Sequence, residues 1–71
     1  MDGFKKIGEK IKYYREKRGL DKKLIAKYAG ISENRYEEIE NGQAIYNFST
    51  LEKIASLLEI NLPELLNFDL L

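Results

Sequence analysis

The segment from Gly30 to Gly42, GISENRYEEIENG, holds the densest set of side chains able to make directional contacts. Glu33, Glu37, Glu38 and Glu40 are acceptors only, Asn34 both donates and accepts, and Arg35 offers a planar fork of donors. A glycine and a serine precede the segment's polar run and Asn-Gly closes it, which frames a short helix. Helices in such a frame often read DNA, yet this one sets four acids against one base. Other chemistries are excluded more simply. The chain has no cysteine, hence no disulfide and no thiolate metal site, and no histidine, the commonest general base and metal ligand. Its 71 residues can hardly wall a deep pocket, so no enzyme, no metal and no cofactor are expected.

The net charge of zero conceals a division. Residues 1–32 carry ten bases and four acids, a balance of +6, while residues 33–71 carry two bases and eight acids, a balance of −6. The division fits a half that faces a polyanion, and equally fits solvated helix faces that differ in sign. Unbroken apolar stretches reach only three residues, as in Leu24-Ile25-Ala26, which excludes a membrane span and a signal peptide and points to a soluble, cytoplasmic protein.

The elements that must position these residues follow from helical spacing, and no stretch alternates as a strand does. Phe4, Ile7, Ile11 and Tyr14 make one stripe on a first helix stopped by Gly19. Gly8 inside that helix costs about 1 kcal/mol against alanine, so a neighbour is expected to approach it closely. Asp21 caps a second helix whose inward residues are Ile25, Ala26 and Ala29, and Gly30 supplies the turn. Ser32 caps a third, with Glu33 in its first turn and Tyr36 and Ile39 inward, and Asn41-Gly42 ends it. Residues 43–47, QAIYN, are a loop. A fourth helix buries Phe48, Leu51, Ile54, Ala55 and Leu58, capped by Asn47 or by Ser49, the latter with Glu52 as a capping box. Asn61 with Glu64 forms another box at a fifth helix, with Pro63 in its first turn and Leu62, Leu65, Leu66 and Phe68 apolar. The expectation is one all-α domain over residues 1–71, five helices around one core.

Within it, residues 21–42 form a helix-turn-helix: two short helices that cross steeply, a small Ala26 near the crossing and Gly30 where the chain reverses. The stretches IGEKIKYYREKRGLDKKLIAKYAGISENRYEEIENG and LEKIASLLEINLPELL resemble the phage-repressor/Cro (XRE) helix-turn-helix family over residues 7–66. The resemblance implies a DNA-binding domain, commonly a dimer on a two-fold operator, that regulates transcription. It implies a structural ion pair between Arg15 and Glu40. It places base reading on Glu33, Asn34, Arg35, Glu37 and Glu38, where Arg35 would suit guanine, Asn34 adenine, and a glutamate only the cytosine amino group. Phosphate contacts would fall to Lys22, Lys23, Lys27, Ser32, Asn41 and Gln43, with Lys12 and Arg18 adding charge.

Three departures from the family pattern stand out. Lys22 replaces a glutamine that meets phosphate and braces the reading helix. The loop after Gly42 lacks the usual basic residues and proline. Leu24 and Tyr28 occupy positions that are ordinarily polar, and are expected at the edge of the core, with a partner surface as the other reading. The acidic third helix also leaves room for a protein-interaction module on the same fold, an antirepressor or antitoxin-like partner. A second copy is expected to pair through the outer side of the fifth helix and Leu70-Leu71.

Overall fold

In the computed structural model, residues 3–44 and 47–66 are described, with the side chains of residues 3 and 4 left aside. They form five helices: α1 (Gly3–Arg18), α2 (Lys22–Ala29), α3 (Glu33–Glu40), α4 (Phe48–Leu58) and α5 (Leu62–Leu66). No strand occurs among the described residues. The helix α2 packs on α3 and α4, and α1 lies across α3, α4 and α5. The core draws on every helix: Ile7 and Ile11 from α1, Ile25, Ala26 and Ala29 from α2, Tyr36 and Ile39 from α3, Leu51, Ile54, Ala55 and Leu58 from α4, and Leu65 from α5. Phe4 and Phe68, the loop positions 45 and 46, and Leu70-Leu71 lie outside the described side chains.

Entry into α2, α3 and α4 is fixed by a side chain that accepts from a free backbone N–H. Asp21 accepts from Lys23 at 3.4 Å, Ser32 from Arg35 at 3.0 Å and Asn47 from Thr50 at 2.8 Å. Asn47, not Ser49, therefore caps α4. Glu64 is turned to α1, where its carboxylate accepts from the Tyr14 hydroxyl at 3.2 Å and its carbonyl from Lys10 Nζ at 2.8 Å.

Exit from α1 through α4 uses one device four times. The N–H of a left-handed residue past each helix bonds back three residues, and the next N–H bonds back five. The second bonds run from Leu20 to Arg15, Ile31 to Ala26, Gln43 to Glu38 and Ile60 to Ala55, at 3.0, 3.0, 2.8 and 3.1 Å. The device requires one left-handed residue, and Gly19, Gly30 and Gly42 supply it at φ 67, 78 and 74°. At the end of α4 the position is Glu59, at φ 61°. Arg18 reinforces that end: its Nε donates to the Leu58 carbonyl at 2.7 Å, and a terminal guanidinium nitrogen stands 3.2 Å from the Glu59 carboxylate.

Three apolar assignments are corrected. Phe48 opens α4 and is 61% exposed. It shares a stripe with Leu51 and Ala55, but side chains tilt toward a helix's N-terminus, so the first residue reaches beyond the core. Leu24 and Tyr28 are 48% and 51% exposed, because the inward face of α2 is already filled by Ile25, Ala26 and Ala29. Leu66 also stands outward, since Leu65 takes the buried place on α5.

Two substitutions test this architecture by thermal denaturation. Glu59→Gly removes left-handed strain worth about 1 kcal/mol at the cost of an exposed ion pair, so the midpoint should rise by a few degrees. Gly8→Ala should lower it despite alanine's better helix propensity. A Cβ there would lie 2.5 Å from the Ile39 carbonyl oxygen and 2.8 Å from the Glu40 carbonyl carbon, and neither is free to move.

Candidate nucleic-acid interface

The position of α3 is set from behind. Glu40 is only 6% exposed, and a buried carboxylate is tolerable only when paired and hydrogen-bonded. Arg15 supplies the charge: its Nε donates to Glu40 Oε2 at 2.6 Å, and a terminal nitrogen reaches Oε1 at 3.4 Å. Another terminal nitrogen of Arg15 donates to the Leu20 carbonyl at 3.3 Å, tying the α1–α2 turn to the same group. From the other side the Tyr36 hydroxyl donates to Glu40 Oε2 at 2.5 Å. Burial, and then this bond, hold the Tyr36 hydroxyl's proton far above the usual value of 10.0. The part of Tyr36 in this network has no counterpart in its sequence reading, which gave it only an apolar role. The i, i+4 spacing of Tyr36 and Glu40 is the signal that could have shown it.

With Tyr36, Ile39 and Glu40 turned inward, the outward side of α3 is defined. Asn34, Arg35 and Glu38 are exposed, and Glu33 and Glu37 are half-buried. All five positions implicated in base reading thus keep some access to solvent on one short helix. Arg35 and Glu38 approach to 3.9 Å across one turn, and Lys22 Nζ stands 3.5 Å from Glu37 Oε2.

The residues assigned to phosphate are more varied. Lys23 and Lys27 are exposed on α2, and Lys12 is exposed on α1. Ser32 accepts from Arg35 N–H, and its own hydroxyl proton is left to donate. The backbone N–H groups of Asn41 and Gln43 are spent on the Glu37 and Glu38 carbonyls, at 3.0 and 2.8 Å, so their exposed side chains are what can meet a ligand. Arg18 is engaged at the end of α4. Among the described residues no group of three or more acidic residues is arranged to hold a metal ion, and no helix is long and apolar enough to cross a membrane.

The helix-turn-helix family model matches residues 11–65. The chain belongs to this family, the XRE-type helix-turn-helix proteins. It is 34% identical over 62 residues to the HTH-type transcriptional regulator SinR of Bacillus licheniformis, covering 86% of this chain and 56% of SinR. The chain thus spans little more than half the length of that relative. Its fold resembles the restriction-modification controller protein C.AhdI of Aeromonas hydrophila, with a TM-score of 0.84 and 25% identity over 92% of this chain and 98% of the other. It also resembles the biofilm master regulator SinR in a crystal structure with DNA, with a TM-score of 0.75 and 32% identity over 86% of this chain and 98% of that one.

The Tyr36–Glu40 bond carries a pH dependence of known sign. In the unfolded chain Tyr36 ionises near 10, whereas in the folded domain it keeps its proton to higher pH. Its contribution is therefore complete below pH 10 and is lost as pH rises above it. Denaturation of Tyr36→Phe should show a stability lower by about 1.5–3 kcal/mol at neutral pH and a shallower alkaline decline than the parent.

Proposed function

We propose that this protein is a sequence-specific DNA-binding transcriptional regulator, repressor-like in action, that places α3 in the major groove. The observation that carries the reading is the orientation of α3. A buried Arg15–Glu40–Tyr36 network turns Tyr36, Ile39 and Glu40 inward and leaves Asn34, Arg35 and Glu38 outward. The likeness to a regulator crystallised with DNA supports it. In this reading Glu33, Asn34, Arg35, Glu37 and Glu38 face base edges, while Lys22, Lys23, Lys27, Ser32, Asn41 and Gln43 meet phosphates. The working form is a homodimer on a two-fold site in the cytoplasm, and the action is not enzymatic.

One observation favours a second reading. Leu24 and Tyr28, spaced i and i+4, are 48% and 51% exposed on α2, where they could contact a protein partner. A pull-down that returns no partner, beside clear retardation of DNA, would dismiss it.

In vitro selection from a random duplex library tests the principal reading. A defined consensus should emerge, with affinity falling as salt rises, but with a shallow slope because few phosphates are neutralised per protomer. Failure to retain any duplex at low salt would refute it. Light scattering at high concentration checks the dimer, and a strict monomer would remove that element.

A further inference from the structure

The outward acids of α3 are not equivalent. Glu37 is met by a cation from another helix: Lys22 Nζ, on the first residue of α2, lies 3.5 Å from its Oε2. The two side chains are 36% and 43% exposed, so the pair sits at the rim where the start of α2 meets the outward side of α3. Glu38 is approached from within α3, by Arg35 at 3.9 Å.

Two consequences follow from the chemistry of the pair. An ammonium has three donors, so Lys22 can hold Glu37 and still offer protons to a phosphate. A carboxylate with a cation beside it is also partly neutralised, which lessens its repulsion by the sugar-phosphate backbone. What such a carboxylate can read is narrow, because it only accepts. The cytosine amino group answers it in the major groove, whereas the amino group of adenine stands beside the N7 acceptor.

We propose that Lys22 is the positioning residue for Glu37, holding its carboxylate over the base edges so that Glu37 accepts from a cytosine N4 amino group. The cross-helix pair is then a specificity device rather than a stabilising one. This rests on α3 reading the major groove.

The experiment is duplex selection and competition binding with the parent protein, Glu37→Gln, Lys22→Met and Lys22→Arg, each checked for an unchanged melting curve. The parent should select cytosine at one step of each half-site. Glu37→Gln should lose about tenfold or more of that preference and keep the preferences at other steps. Lys22→Met should lose the same cytosine preference with Glu37 intact, whereas Lys22→Arg should keep it. A purely structural or phosphate-binding lysine would change affinity at all sequences alike and leave the base preference in place. The inference is overturned if Lys22→Met selects the same cytosine as the parent, or if Glu37→Gln changes no base preference. If the parent retains no duplex at low salt, the DNA-reading function itself fails, a result distinct from either of those.

Discussion

Glu40 sits with 6% of its surface exposed, and the geometry of the domain is arranged around keeping that charge satisfied. Removing one partner of a buried ion pair strands the other, which is far more costly than the pair's net value in the intact fold. Arg15 on α1 and Tyr36 on α3 converge on one carboxylate oxygen, and Arg15 also holds the Leu20 carbonyl. One group thus fixes how far α1 lies from the end of α3, how α3 is rotated about its axis, and how the chain leaves α1. Gly8 makes the approach possible, since the Ile39 and Glu40 carbonyls occupy the space a Cβ would need.

The rotation of α3 then decides the electrostatics. An acidic helix is a poor match for a polyanion if its four glutamates are counted together, but the fold divides them. Glu40 is buried with Arg15, Glu37 is paired with Lys22, and Glu38 lies near Arg35. Glu33, half-buried in the first turn, lies where the helix dipole favours an anion. The sign of the helix is less hostile in three dimensions than in one, and α2, which packs on it, carries exposed lysines.

Much of the scaffold was legible in the residues. Glycines at 19, 30 and 42 mark turns because only they take the left-handed conformation cheaply, and Asp21 and Ser32 announce helix starts by their acceptors. Gly8 announced a close approach because nothing else justifies glycine inside a helix. What stayed hidden depended on where helices end or on what their neighbours fill. Glu59 adopts a left-handed conformation that its residue type disfavours, and Arg18 reaches that end from α1, forty positions earlier. Phe48 obeys the periodicity of α4 and still projects past the core. Leu24 and Tyr28 look like core by composition, but a helix of eight residues has room for one buried stripe. The Lys22–Glu37 contact joins residues fifteen apart on different helices, a distance no helical spacing rule covers.

The four helix exits are closed by main-chain bonds, and side chains of α1, Arg15 and Arg18, reinforce two of them. On α3, the side chains that hold the fold are different ones from those that face outward. A descendant of this domain could exchange Asn34, Arg35 and Glu38 and acquire a new target while its frame stayed as it is. Glu37 is the exception, because the ammonium of Lys22 on α2 stands 3.5 Å from its carboxylate. At that corner inheritance should act on two codons at once, and a change in either would leave a transitional protein with an unmatched charge at its rim.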